Sequence, residues 1–122
     1  MENSIQINGK EYVLASSVKP QSAKTLQDKT YCIIRTYSAG VFAGYINRKI
    51  PGKENTVYNA RRIWYWAGAA SLSQLANEGT KKPAECKFAQ IIAEVDLKEI
   101  IEVIPCTEQA KKNIEGVAVW QQ

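Results

Sequence analysis

The segment from Asn59 to Ser71, NARRIWYWAGAAS, contains most of the residues whose chemistry suits ligand binding. It places two arginines and three aromatic residues directly before small residues and a helix start. Guanidinium groups bind phosphate, aromatic rings stack on cations or bases, and backbone N–H groups at a helix N-terminus attract anions. The segment therefore predicts a site for an anion with a flat ring, such as a nucleotide. An ordinary strand whose tryptophans fill the core is the alternative.

Alternation along this predicted strand sends Arg61 and Arg62 to opposite faces. At most one of them can join a given site within one subunit, and the other is available to a partner subunit or a salt bridge. The predicted face of Arg61 also carries Asn59, Ile63 and Tyr65, and that of Arg62 carries Tyr58, Ala60, Trp64 and Trp66. The second face suits either stacking on a purine or a hydrophobic subunit contact, although core packing is the alternative for at least one tryptophan.

Gly68 lies among alanines shortly before Ser71, which begins a predicted helix with a capping box completed by Gln74. A glycine allows close approach to a ligand, and the first helical N–H groups would point at that ligand. These residues predict a phosphate seat, unless the small side chains only permit close helix packing.

Two further places carry candidate ligand contacts. The link Ser38-Ala39-Gly40 between two predicted strands offers amides and a hydroxyl, and it is flanked by Arg35, Tyr37 and Phe42. An ordinary hairpin turn is its alternative. Thr107 begins the second predicted helix, where its role is either anion binding or capping alone.

Several kinds of catalytic chemistry are missing. The chain has no histidine and no GxSxG, P-loop or GxGxxG motif. Its three cysteines are widely spaced and predict neither a disulfide framework nor a zinc site, and Cys32 is predicted to be a buried thiol. We predict a protein that is not an enzyme and uses no cofactor or metal. The carboxylates Glu94, Asp96, Glu99 and Glu102 leave hydrolysis or metal binding as an alternative to a solvated charged face.

Length and charge restrict the partner. A chain of 122 residues predicts a single domain over residues 1–122. The net charge of +4 is uneven, because residues 1–66 hold ten basic and four acidic side chains and residues 67–122 hold six and eight. This modest excess favours a compact phosphorylated ligand over nucleic acid, whose binders have denser Lys/Arg stripes. Neither a signal peptide nor a membrane span is evident, so we expect a soluble cytoplasmic protein.

The predicted fold is α+β, with an antiparallel sheet and two short helices. Asn8-Gly9 predicts an N-terminal hairpin of Ser4–Ile7 and Glu11–Leu14, and residues 16–29 read as a loop or weak helix. A three-stranded meander and a helix follow. Cys86–Val95 and Leu97–Ile104 are two strands or one bent strand, and a final helix runs from Thr107 to about Asn113. The predicted meander strands and first helix are Tyr31–Tyr37, Val41–Arg48, Thr56–Trp66 and Leu72–Glu78.

The motifs RTYSAGVFAGYI, NARRIWYWAGAASLSQLANEG, KKPAECKF and IIEVIPCTEQAKKNI resemble a family of small bacteriophage proteins, the Thoeris anti-defence sponges. The resemblance runs from about Thr30 to Trp120. The matching positions are Arg35, Tyr37, Ser38, Gly40, Asn59, Arg61, Arg62, Trp64, Trp66 and Ser71.

The resemblance implies a homo-oligomer that binds cyclic ADP-ribose isomers made by host TIR-domain enzymes in pockets where subunits meet. Such a protein holds the signal intact and keeps the defence effector inactive. Some members also bind cyclic oligonucleotides at separate pockets. An enzyme that hydrolyses such signals and a nucleic-acid-binding or adaptor module are the alternative functions.

Overall fold

The computed structural model describes residues 26–50, 52 and 55–121. These residues form an antiparallel sheet with helices packed on one face, which confirms the predicted α+β class. The predicted N-terminal hairpin lies outside the described residues. The strands are β1 (Thr30–Thr36), β2 (Val41–Ile46), β3 (Thr56–Tyr65), β4 (Lys87–Phe88), β5 (Ile92–Asp96) and β6 (Ile100–Pro105). The helices are α1 (Leu72–Glu78) and α2 (Glu108–Glu115), and a 3₁₀ turn spans Pro83–Glu85.

The predicted meander and α1 are confirmed. β2 pairs antiparallel with both β1 and β3, and the strand boundaries differ from the prediction by at most two residues. α1 has the predicted boundaries because the Ser71 hydroxyl accepts a hydrogen bond from Gln74 N, while Gly79 ends the helix at a φ of 78°. α2 continues to Glu115, two residues beyond the prediction, and ends at Gly116.

A short connection forces the sheet to curl. β4 and β5 both pair with β3, whereas β6 pairs with β1 at the other side of the meander. Only residues 97–99 join β5 to β6. Four residue steps reach about 14 Å, but the outer strands of a flat five-strand sheet would lie about 19 Å apart. The predicted strand Cys86–Val95 is wrong as one element, because it divides into β4 and β5. β5 and β6 are separate strands on opposite edges, and curvature of the sheet brings them together.

The sheet has a buried cluster on each face. On the helix-covered face, Ile33 and Phe88 pack with Leu75 of α1 and Ile114 of α2. The opposite face, here called the concave face, buries Cys32, Ile34, Phe42, Ile46, Val57, Ala60 and Leu97. Because both faces are covered, β1 reads as a continuous apolar run rather than a strict alternation.

A β-bulge at Asn59 changes the predicted face of one residue. Ala43 pairs with Arg61 and Tyr45 pairs with Tyr58, so β3 has one extra residue between these pairs. Asn59 adopts a φ of 50°, which asparagine tolerates better than most residues. The predicted placement of Tyr58 on the face of Arg62 is wrong, because the extra residue shifts the two-residue period and puts Tyr58 opposite Tyr45.

Gly44 lies opposite this bulge and has no room for a side chain. An added Cβ would lie 2.5 Å from Val57 Cγ1 and 3.0 Å from Tyr58 O. We expect Gly44→Ala to lower the free energy of unfolding by about 1–3 kcal/mol, because the surrounding backbone must shift. Urea denaturation measures the change. Gly116→Ala is the control, since its nearest neighbour lies at 3.3 Å in a right-handed conformation. Equal stability of both variants would contradict the bulge packing.

Burial makes the Cys32 thiol a pH-sensitive element. Cys32 is fully buried, which confirms its predicted burial, and this raises its pKa to about 11. The thiol of the unfolded chain loses its proton near pH ~8.5. Between this pKa and that of the folded state, the unfolded chain binds fewer protons, so stability falls as pH rises.

We therefore expect Cys32 to lower the free energy of unfolding by about 1.4 kcal/mol per pH unit within this window. Urea denaturation from pH 7.5 to 10.5 measures the slope, and Cys32→Ala should make it shallower. Cys106, whose pKa burial raises to about 12, acts in the same direction. An unchanged slope in Cys32→Ala would contradict this prediction.

Candidate ligand-binding cleft

Phe42, Arg62 and Trp64 meet on the concave face. Phe42 and Arg62 are paired across β2 and β3, and Trp64 follows two residues later on β3. The Arg62 Cζ lies 4.6 Å from the centre of the Phe42 ring and 5.2 Å from that of Trp64. Both contacts are within cation–π range. Of the three aromatic residues predicted to share the face of Arg62, only Trp64 has a ring contact with its guanidinium within the described residues, and Phe42 adds a second ring from β2. The Trp64 surface is 60% exposed.

Arg62 has a charge that the described protein does not neutralise. Its Nε is buried, and no described residue accepts a hydrogen bond from it. The ion pairs between described residues are Arg35–Glu102, Lys81–Glu78 and Lys111–Glu108, none of which includes Arg62. A buried unsatisfied donor costs about 1–3 kcal/mol. An acceptor supplied by a ligand would recover part of this energy.

A cavity of about 180 Å³ opens beside Arg62. It lies where β5 runs along β3, and its lining is mostly apolar. Sequence reasoning found only Phe42 and Arg62 of this site, because no local pattern shows that β5 pairs with β3. The additional lining residues are Ala60, Ala89, Gln90, Ile92 and Val95.

The hairpin tip between β1 and β2 lies at the same end of β3 as Trp64, since Val41 pairs with Ile63. Tyr37 at this tip is 77% exposed. Gly40 there has a φ of 99° and open space where a Cβ would lie, while its carbonyl accepts hydrogen bonds from the N–H and the hydroxyl of Thr36. These two predicted residues thus lie at the same strand end as Trp64, but they do not line the cavity.

Arg35 and Ser38, the other candidates near this tip, already have carboxylate partners. Arg35 Nε donates to Glu102 Oε1 at 2.9 Å, and the Ser38 hydroxyl donates to Glu99 Oε1 at 2.8 Å. A ligand anion would compete with Glu99 for the hydroxyl proton of Ser38, and at Arg35 it would meet a guanidinium whose charge Glu102 already balances.

Arg61 lies on the helix-covered face and not in the cleft. It is 2% exposed, and its Nε donates to Ala89 O at 2.7 Å while Nη1 donates to Ile114 O at 2.9 Å. Its guanidinium also lies over the Phe88 ring. Burial lowers the pKa of Arg61. Its side chain thus joins the β4–β5 link to the end of α2 and has almost no surface for a ligand.

Neighbouring backbone and side-chain groups of the protein occupy the phosphate seat that was predicted at Gly68 and Ser71. A Cβ at Gly68 would lie 2.5 Å from Lys82 N, and Lys81 N donates to Gly68 O. Ser71 caps Gln74 N, and the Gln74 side chain accepts from Ala70 N at 2.8 Å. The small residue at Gly68 therefore serves close packing, which was the alternative interpretation.

The remaining candidates also have structural roles. Asn59 forms the bulge, and Trp66 packs against the helix-side cluster, away from Trp64. Thr107 donates its hydroxyl proton to Asn77 O and accepts from Ala110 N, so it caps α2 and ties it to α1. The structure does not bring these residues into the cleft.

The carboxylates considered for hydrolysis are all exposed, and three have polar partners. Asp96 accepts from the Thr56 hydroxyl at 2.6 Å, while Glu99 and Glu102 bind Ser38 and Arg35. Within the described part of the chain, no three potential metal-ligating side chains are grouped together.

Residues 29–114 match the family described as a domain of unknown function, DUF6948. The chain belongs to the DUF6948 family. The matched region contains every strand of the sheet, α1 and nearly all of α2. Neither a curated protein nor a solved structure matches the chain. Among the helices of the described residues, none is long and apolar enough to cross a membrane.

The two neighbouring arginines are expected to respond differently to replacement by methionine. Arg61→Met should lower the free energy of unfolding by about 2 kcal/mol or more, because two backbone acceptors lose a charged donor. Arg62→Met should change stability much less, because no hydrogen bond to a described residue is lost and methionine can replace the cation–π contacts with contacts between sulfur and the rings. Thermal and urea denaturation measure both variants. Similar destabilisation by the two substitutions would contradict this assignment.

Proposed function

We propose that this DUF6948 protein binds a cyclic ADP-ribose isomer and sequesters it without cleaving it. The proposal follows the resemblance to the anti-defence sponges. The observation that carries it is Arg62, a half-buried guanidinium that contacts two aromatic rings and has no anionic partner among the described residues. Such a group is suited to one phosphate of a pyrophosphate, while Trp64 offers an exposed ring beside it.

The polar side chains that line the cavity are better suited to binding the ligand than to hydrolysing it. They are Arg62 and Gln90, neither of which is a carboxylate, hydroxyl or thiol. An arginine remains protonated at neutral pH and does not act as a general base. A cyclic ligand also loses little conformational freedom on binding, which favours tight capture of a dilute signal.

The cleft is small for the proposed ligand, and its size therefore supports the assembly of subunits. Its volume of about 180 Å³ is below the roughly 300–1,000 Å³ of pockets that enclose a drug-sized ligand. One subunit thus takes part of the signal, and the remainder lies outside the cavity near the exposed ring of Trp64. A second copy of the chain would cover the exposed portion. In this role the protein acts in the cytoplasm of a phage-infected bacterium and inactivates a TIR-dependent defence.

Calorimetric titration with a cyclic ADP-ribose isomer tests this function. We expect Arg62→Met to weaken binding by about 1.5–3 kcal/mol, because the charged donor is lost. Arg48→Met, an exposed arginine outside the cleft, is the matched control and should bind normally. Heat denaturation of the complex should release the ligand with its mass and chromatographic retention unchanged.

Three results would count against the proposal. Undetectable binding would refute sequestration, and a chemically altered ligand after repeated turnover would favour the hydrolase. Affinity for a polynucleotide that falls steeply with salt, without affinity for the cyclic ligand, would favour the nucleic-acid module.

A further inference from the structure

The amide side chain of Gln90 lies at the cavity on which the proposed function rests. Gln90 is exposed, lines the cavity and forms no side-chain hydrogen bond with the described residues. Arg62 and Gln90 are the polar side chains of the lining, and the other lining residues are alanine, valine, isoleucine and phenylalanine. The cleft thus offers one charged donor and one amide that both donates and accepts.

The backbone on either side of Gln90 is held in place. Ala89 N donates to Arg62 O at 2.8 Å, and Ala89 O accepts from the buried Arg61 guanidinium at 2.7 Å. Ile92 then pairs with Ala60 in the sheet. The position of Gln90 relative to the cavity is therefore set by rigid elements, as selective recognition requires.

The apolar lining determines which part of the ligand enters. Moving a phosphate into apolar surroundings carries a large desolvation cost, whereas a flat heterocycle buries its faces at little cost. The cavity volume of about 180 Å³ is small and suits one ring system rather than a whole dinucleotide. The base accordingly occupies the cavity, and the phosphates stay at its mouth near Arg62.

We infer that Gln90 selects adenine at this site. A glutamine amide can donate to adenine N7 and accept from the N6 amino group at the same time. Guanine presents acceptors at both N7 and O6, so the amide oxygen would face another acceptor. The deepened proposal is a cleft in which Arg62 binds phosphate and Gln90 distinguishes the base.

The test compares two probes by calorimetry. One is a cyclic ADP-ribose isomer whose adenine N6 and N7 are free, and the other is the same molecule with guanine. The wild-type protein should bind the adenine probe about 5- to 150-fold more tightly, the range for one bidentate base contact. Gln90→Leu should abolish this preference. Gln109→Leu, a matched change on the exposed surface of α2, should retain it, and thermal denaturation should show that both variants fold.

The outcomes separate this inference from the proposed function. Equal affinity of wild-type protein for the two probes, or a preference that persists in Gln90→Leu, overturns base selection by Gln90. Sequestration would still hold if the adenine probe binds and Arg62→Met weakens that binding. Failure of wild-type protein to bind either probe would overturn the proposed function and this inference together.

Discussion

The three-residue link between β5 and β6 is the constraint on which the rest of the architecture depends. It joins strands that pair with opposite sides of the meander, and it is too short to cross a flat sheet. Curvature follows directly from this length. A curled sheet has an inner surface that its own strands can cover, with Leu97 from the link buried in the cluster there. The helices are needed only on the other face. The concave face at the β3–β5 boundary is thus available for a cleft.

The adjacent arginines of β3 have different environments. Arg61 stabilises the fold, and Arg62 belongs to the proposed binding site. Arg61 gives its hydrogen bonds to two backbone carbonyls from distant segments and is sealed among them. Arg62, one residue later, lies over two aromatic rings, and none of the described residues accepts a hydrogen bond from its buried Nε. The first arginine holds the Ala89 backbone that frames the cleft, and the second supplies the cleft's charge. An unsatisfied polar group of this kind is typical of a site that is completed by a ligand.

In the proposed function, this arrangement lowers the stability of the protein without ligand and raises its affinity for the ligand. A buried guanidinium without an acceptor is unfavourable, and in the proposed complex a bound phosphate would remove this penalty. The anchored backbone beside Gln90 limits the ordering cost, because the recognition element is already positioned. Trp64 at the rim remains largely exposed, which leaves apolar surface for the rest of the ligand or for another subunit.

Local chemistry in the sequence was sufficient to determine the α+β class, the meander, the boundaries of α1 and the opposite directions of Arg61 and Arg62. Turn residues, caps and two-residue periodicity act over a few neighbours, so they can be read without the fold. Tertiary structure decided the bulge that moves Tyr58, the closure of the Gly68 seat by residues 80–82, and the addition of Gln90 and β5 to the cleft. It also decided which arginine is buried. These outcomes depend on contacts between segments far apart in the chain, and no local pattern encodes which segments will meet.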